Sequence, residues 1–429
     1  MSFNLRVKLW GNDIGIASKQ DGADYVLFEY EKDFIKSGIE LSPIVMPLSS
    51  RVYSFPELNY KSFKGLPGML ADSLPDKFGN AVINRWLAEQ GRTEESFSQM
   101  ERLCYTGKRG MGALEYEPEM HISETGSESI QIESLVELAE KILSNRENTS
   151  IKVDRPSMEQ IMQVGTSAGG ARAKAIIAVN EKTGEIKSGQ INQGRDFEYW
   201  IIKFDGLENN GDKDGNDKPE YCKREYAYYL MAVDSGINMT SSKLHKENGR
   251  SHFMTKRFDR NQSNGEKLHM QTLAGLAHYD FNSAGENSYE QVANILLRLG
   301  MGQLEIKQLY RRAVFNIMAR NQDDHVKNIS FLMDKSGRWS LSPAYDITYA
   351  YNPTKEWTSK HQMSLNGKRE KFTYDDLILA ADNINIKESE AKKIISEVSN
   401  SVKKWPDFAE QANLSDNQIK YITSNLIII

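Results

Sequence analysis

The sequence predicts an α+β fold: a small α+β N-terminal subdomain, a strand-rich lobe and a mainly helical C-terminal lobe. Three observations predict it. Short β-like runs alternate with a helical stretch near Ala81–Gln90 over the first part of the chain, up to about residue 120. Further strand-like runs extend from about Ile161 to Phe204. From Glu225 onward helical periodicity dominates, broken by one polar loop and one hairpin. The polar stretch His121–Ser129 loosens the pattern and marks a boundary, after which Ile130–Leu143 reads as a helix. The expected domains are therefore 1–120, 130–224 and 225–429, with no internal repeat.

Composition narrows the class. With 429 residues and 39% hydrophobic content, the chain has length for two or three domains with real cores. A formal charge of −5 gives no chain-wide drive toward nucleic acid. No apolar run is long enough to span a membrane, and the opening residues Met1–Trp10 have no signal-like apolar core, so a cytoplasmic protein is expected. Two cysteines, Cys104 and Cys222, are too few for a disulfide framework or a zinc site. The seven histidines form no H-E-x-x-H pair.

The most informative stretch is Asn321–Asn328, a tight polar loop after a helical segment, with Asp323 and Asn328 five positions apart. Ordinary polar loops also show this spacing, but it is the D-x-x-x-x-N of kinase catalytic loops. There the Asp accepts the nucleophile's proton and the Asn holds a magnesium ion against the nucleotide phosphates. The residues downstream of Asn328 strengthen the reading. Ile329–Met333, a turn at Asp334–Gly337 and Trp339–Asp346 read as a β-hairpin closed by Asp346, where a kinase places its second metal-binding Asp. The alternative for Asp346 is a turn or helix cap.

Upstream, Val164–Lys174 is the only dense Gly-rich segment. Gly165, Gly169 and Gly170 would let backbone N–H groups approach an anion, and Arg172 and Lys174 add positive charge. It fits neither the Walker A pattern nor G-x-G-x-x-G, and taken alone a plain turn between strands accounts for it equally well. Phe197–Asp205 reads as a strand carrying Lys203 inside an apolar run. Such a lysine needs a partner: ATP phosphates together with Glu225 on the following helix, or water reached by snorkelling from an edge strand. Asp212–Asp217 imitates the start of an EF-hand loop, but Lys223 stands where the bidentate Glu is required, so a solvated loop is expected. The terminal Leu426–Ile429 is expected to pack on the helical lobe.

Taken in order, Gly169–Lys174, Ile201–Phe204, Lys256–Arg260, Leu268–Gln271, Asp323–Asn328 and Pro343–Asp346 resemble the HipA family of bacterial serine/threonine kinases, toxins of HipBA toxin–antitoxin systems. Gly65–Asp76 and Gly110–Tyr116 resemble the family's N-terminal subdomain, so the likeness runs over about residues 4–385. The resemblance implies a two-lobed protein-kinase-like fold and a kinase using ATP and Mg2+, with Asp323 as catalytic base, Asn328 and Asp346 as metal ligands and Lys203 on ATP. Gly165, Ser167, Gly169, Gly170, Arg172 and Lys174 fall to the nucleotide site, with His325 and Lys327 of the catalytic loop; His325 is expected to hold the loop rather than a metal. It further implies autophosphorylation of Ser167, with Thr166 the alternative, which would eject the Gly-rich loop. The expected partners are a HipB-like helix-turn-helix antitoxin, DNA only through that antitoxin, and a protein substrate, in the best-known case an aminoacyl-tRNA synthetase. Two other functions stand beside it: a small-molecule kinase, or a catalytically silent antitoxin-binding subunit of a repressor complex. Arg257, Asp259 and His269 match family motifs without a role that the sequence supplies.

Overall fold

Alternating burial builds the first sheet, most clearly in its first strand. In β1 (Phe3–Leu9) the side chains of Leu5, Val7 and Leu9 are buried while Asn4 and Arg6 face water. Trp10 and Gly11, at φ 50° and 80°, turn the chain into β2 (Asn12–Lys19), as the right-handed twist of a two-residue hairpin requires. β3 (Leu27–Tyr30) and β4 (Leu114–Glu117) complete an antiparallel sheet of order β3-β2-β1-β4. The computed structural model describes residues 3–120, 129–144, 155–165, 172–207 and 220–429.

A second sheet has the order β6-β5-β7-β9-β8, formed by β5 (Lys174–Val179), β6 (Ile186–Ser188), β7 (Glu198–Lys203), β8 (Ser242–Glu247) and β9 (Arg250–Lys256). Every residue of β5 is buried, which is why it reads as an unbroken apolar run rather than an alternating one. A short third sheet contains β10 (His269–Thr272), β11 (Ser330–Met333) and β12 (Trp339–Leu341). Asp346 lies beyond the end of β12 at Leu341 instead of closing the hairpin.

The chain divides into two compact units. The first comprises Met1–Pro219, His245–Gln271 and Leu332–Gly337; the second comprises Glu220–Leu244, Thr272–Phe331 and Arg338–Ile429. In the first unit Phe78, Val82, Ile83 and Leu87 of helix Lys77–Glu89 share a core with Leu135, Val136 and Ala139 of helix Ile132–Ser144 and with Ala175, Ile177 and Ile202 of the second sheet. Helix Lys77–Glu89 begins at Asp76, whose carboxylate accepts from the Gly79 N–H at 2.6 Å. Helix Gln99–Thr106 begins at a Ser98/Glu101 capping box. Ile161 and Met162 end helix Arg155–Met162 rather than opening a strand. Met158, Ile161 and Met162 are all buried, an i, i+3, i+4 stripe that a short apolar run conceals.

The family motifs around residues 257 and 269 are joints of this first unit. Buried Asp259 accepts from Arg257 at 2.9 and 2.7 Å, from Arg260 at 2.9 Å and from the Gly112 N–H at 2.7 Å. Burial alone would raise the Asp259 carboxyl, but the two guanidiniums hold it well below the usual carboxylate range. Burial lowers Arg260 to about 10, so it stays charged at neutral pH. Arg257 also donates to the Gly189 carbonyl at 2.8 Å, tying the strand lobe to the Gly110–Gly112 turn. Gly112 is glycine for cause: its φ is +73° and a Cβ would stand 2.8 Å from the Met270 nitrogen. His269 is buried, which pushes its pKa down to about 3, and lies 2.8 Å from Gln271, which donates to the Leu41 carbonyl at 2.6 Å.

The second unit is helical. Tyr228 of helix Tyr221–Asp234 meets Trp405 at 5.1 Å and Phe315 of helix Gln303–Met318 at 6.4 Å between ring centroids. The Tyr228 hydroxyl donates to the Ala319 carbonyl at 2.7 Å, so its polar tip is satisfied inside the core. At the C-terminus the Ile427 N–H donates to the Met318 carbonyl at 2.9 Å, which packs the apolar tail on this lobe. No described helix is long and apolar enough to cross a membrane.

Candidate active site

Helix Gln303–Met318 ends because Arg320 adopts the left-handed conformation, φ 56°, and the Asn321 N–H turns back to the Asn316 carbonyl at 2.9 Å. The polar loop beyond it is held from beneath. Asp324 is buried and accepts from the Tyr289 hydroxyl at 2.8 Å, the Gln362 N–H at 2.8 Å and His361 Nδ1 at 2.9 Å. Burial alone would raise its carboxyl, but His361 and these donors hold it below the ordinary carboxylate value. The Asn321 amide reaches Asn316 at 2.9 Å, and Asn316 reaches the Tyr289 hydroxyl at 3.0 Å, extending the buried network.

Asp323 faces the other way. Its side chain is 27% exposed, Trp357 Nε1 donates to Oδ1 at 2.6 Å, and His325 Nε2 lies 3.8 Å from the same oxygen. Two adjacent aspartates thus split into one buried anchor and one accessible carboxylate. Asn328, at the end of the 3-10 turn Val326–Asn328, donates its amide N–H to the Asp323 backbone carbonyl at 2.8 Å and closes the loop on itself. The Tyr345 hydroxyl donates to the Lys327 carbonyl at 2.6 Å and shares a short hydrogen bond with Ser330. Those contacts fasten the segment carrying Asp346 to the loop. Asp346 itself sits at φ 52°, a left-handed position that Asp tolerates better than most side chains. Lys327 lies over the Phe281 ring at 4.4 Å, and His325 stands between Phe281 and Trp357.

The strand lysines belong to the first unit. Lys203 ends β7, buried, with Lys174 opposite it on β5 and Phe253 opposite on β9. It is therefore on an interior strand, not the edge strand from which a lysine snorkels freely. Lys174 pairs with Asp76 at 3.0 Å, both side chains almost fully enclosed, so its charge is compensated within the unit. Gly165 commits its N–H to the Ile161 carbonyl at 2.8 Å, and a Cβ there would meet that same oxygen at 2.8 Å. Arg172 lies just before β5 and is half-buried. Thr166, Ser167, Gly169 and Gly170, and the Asp212–Asp217 loop, lie outside the described residues. Glu225 is buried on helix Tyr221–Asp234 of the second unit. Among the described residues no group of three or more His, Cys, Asp or Glu side chains forms a metal-binding cluster.

Comparison with known proteins adds a lineage to this geometry. The HipA N-terminal domain matches residues 5–117, and the HipA-like C-terminal domain matches residues 166–405, more than half of the chain. The chain belongs to the HipA family. A Haemophilus influenzae protein provisionally named a kinase is 26% identical over 170 residues, covering 34% of this chain and 48% of the relative, so the match spans about half of that relative's length. A chain of the Shewanella oneidensis toxin–antitoxin complex of HipA, HipB and operator DNA superposes with a TM-score of 0.67 at 17% identity. It covers 98% of this chain and 94% of that one, and so shows that the two share a fold. The Helicobacter pylori proinflammatory kinase CtkA overlaps 53% of this chain and 92% of its own at 12% identity, with a TM-score of 0.31, a likeness that decides nothing.

Within this HipA-family site, sequence reasoning missed Asp324, Tyr289, Trp357 and His361. The one available signal was the doubled Asp323-Asp324, since only one of two neighbouring carboxylates can face the same side of a tight loop. Nothing local marked Trp357 or His361, which come from a distant irregular segment.

Proposed function

We propose that this HipA-family chain is an ATP-dependent serine/threonine protein kinase that uses Asp323 as its general base. The observation that carries the reading is the division of labour in the loop: Asp324 is buried as an anchor, so Asp323 stays accessible on a backbone that cannot drift. Trp357 fixes one carboxylate oxygen of Asp323, orienting it to take the proton of a serine or threonine hydroxyl as the γ-phosphoryl group transfers. Phosphoryl transfer asks chiefly for such positioning and for charge neutralisation.

The residues fit Mg2+. Asn328 uses its amide N–H on the Asp323 carbonyl, so its Oδ1 would be the atom to hold the cation, and Asp346 would supply a carboxylate from the segment that Tyr345 fastens. Two protein oxygens suit an ion that fills its octahedron with water and phosphate oxygens. When bound, Mg2+ would neutralise charge on the transferring phosphates. Lys203 would hold the α- and β-phosphates, and His325 and Lys327 would border the nucleotide. The Gly-rich segment with Gly165, Ser167, Gly169, Gly170 and Arg172 would cradle the phosphates, and Lys174, paired with Asp76 at 3.0 Å, would support it.

Autophosphorylation of Ser167 or Thr166 would switch the enzyme off, because about −1.5 to −2 charges added to that loop repel the nucleotide phosphates. The partners we infer are a HipB-like helix-turn-helix antitoxin, with DNA reached only through it, and a protein of the translation machinery such as an aminoacyl-tRNA synthetase as substrate. The setting we infer is the cytoplasm, which suits two buried free cysteines. The test is transfer from γ-labelled ATP with magnesium in a cell lysate, comparing wild type with Asp323→Asn. Labelled protein from wild type alone supports the reading. Label confined to metabolites would make this a small-molecule kinase, and no label from a nucleotide-binding wild type would make it a binding subunit.

A further inference from the structure

A cleft of about 910 Å³ opens in the first unit between helices Lys77–Glu89 and Gln99–Thr106, with Lys19 and Lys64 among the residues lining it. Its lining is cationic. Lys19, Lys64, Lys77 and Arg102 contribute four positive charges, against the carboxylates of Glu94 and Glu95, while Arg85 on the same wall is paired with Glu89 at 3.3 Å. The excess of two charges stands in a chain whose net charge is −5, so the balance is local and opposite to that of the whole.

Arg102 sets the chemistry of this cleft. Its side chain is only 5% exposed, yet its hydrogen-bonding partners are neutral: the amide oxygens of Asn80 at 2.5 Å and Asn84 at 3.2 Å. The nearest carboxylate paired with it, Glu94, is 4.0 Å away and 62% exposed. Buried guanidiniums ordinarily meet a carboxylate in a close fork, and the desolvation they suffer is otherwise left without a counter-charge. Burial accordingly lowers the Arg102 pKa, with Glu94 and Glu101 only partly opposing it. Asn80 and Asn84 hold the planar group in one orientation at the cleft wall, as a binding site would. Phe97 packs against its face at 5.6 Å, adding a second restraint.

We propose that this cleft binds a small polyphosphorylated molecule of nucleotide size, with Arg102 supplying the counter-charge to one phosphate and Lys19 and Lys64 receiving another. The volume lies within the range of small-ligand sites. Tyr60, 53% exposed on the cleft lining with Lys64 over its ring at 5.9 Å, offers a planar face to a base or similar group. The site lies wholly in the first unit and needs none of the groups assigned to phosphoryl transfer, so it stands or falls apart from the kinase reading.

The test is hydrogen exchange and titration calorimetry on the full-length chain with inorganic pyrophosphate as probe, without magnesium. Exchange in Lys77–Glu89 and Gln99–Thr106 is expected to slow. The double variant Lys19→Glu/Lys64→Glu, at half-buried positions outside the hydrophobic core, should bind at least tenfold more weakly and lose that protection. Arg102→Gln should do the same, and Asp323→Asn should leave it unchanged. Absence of protection in these helices, or protection that survives Lys19→Glu/Lys64→Glu, would overturn the proposal. Protection by a single-stranded oligonucleotide but not by pyrophosphate would also overturn it, in favour of a nucleic-acid track.

Discussion

Replacing each of the two neighbouring aspartates by asparagine makes the same chemical change with opposite expected consequences. At Asp324 one oxygen accepts from both the Tyr289 hydroxyl and His361, and the other accepts from the Gln362 N–H. Asparagine keeps a single acceptor oxygen, so its NH2 must face one set of donors whichever way it turns. One or two buried donors are orphaned at about 1–3 kcal/mol each, which gives a loss of roughly 2–4 kcal/mol. For a domain of this size that lowers the melting temperature of the second unit by roughly 5–15 °C. At Asp323 the Trp357 donor keeps its acceptor after the same substitution, and the site is partly solvated, so stability should change by less than about 1 kcal/mol. Phosphoryl transfer, by contrast, should fall on the order of a hundredfold or more with the loss of the base. Differential scanning calorimetry beside a labelled-ATP assay separates the two effects. An Asp324→Asn protein as stable as wild type, or an Asp323→Asn protein equally active, would refute the division of labour.

The geometry carries three further outcomes. Lys203→Ala should raise the ATP concentration needed for half-maximal transfer on the order of tenfold or more, measured by steady-state kinetics, since the phosphate contact we propose for it is charge-assisted. Gly112→Ala should cost on the order of 2 kcal/mol or more in chemical denaturation, because alanine is strained at φ +73° and its Cβ would press on the Met270 nitrogen that approaches it. Burial pushes the pKa of His252, with His245 and Arg250 nearby, to about 4 and that of His269 to about 3, so both are neutral when folded and protonate when unfolded. The unfolded state therefore binds more protons. Stability from this source is complete above about pH 6.5 and falls as pH drops toward the folded values, by about 1.4 kcal/mol per pH unit for each histidine. Melting curves of wild type and His269→Gln between neutral pH and pH 5 check it, the variant showing the shallower decline.

Local chemistry was legible in the sequence where the cause was local. The D-x-x-x-x-N spacing, the Gly337 turn of the β11–β12 hairpin and the apolar run of β5 each carry their reason within a few residues. The helix expected near Ala81–Gln90 starts earlier, at Lys77, since the cap that fixes its start is Asp76. Ile161 misled because two adjacent apolar residues fit a strand or a helix equally well. What stayed hidden depends on contacts far apart in sequence. Asp259 is a hub because Gly112 joins its neighbours Arg257 and Arg260 on it, Lys174 is compensated by Asp76, and the Asn321–Asn328 loop is anchored through His361. The pairings with Gly112, Asp76 and His361 have no local signature, and each decides how a charged residue is held.

The most direct measurement of the central claim is the intact mass, with phosphopeptide mapping, of the purified full-length chain after incubation with magnesium and ATP, beside Asp323→Asn treated identically. The account predicts wild type heavier by one phosphate on Ser167 or Thr166 and the variant unmodified. A wild-type chain that binds ATP yet stays unmodified and transfers no phosphate to any protein would contradict it.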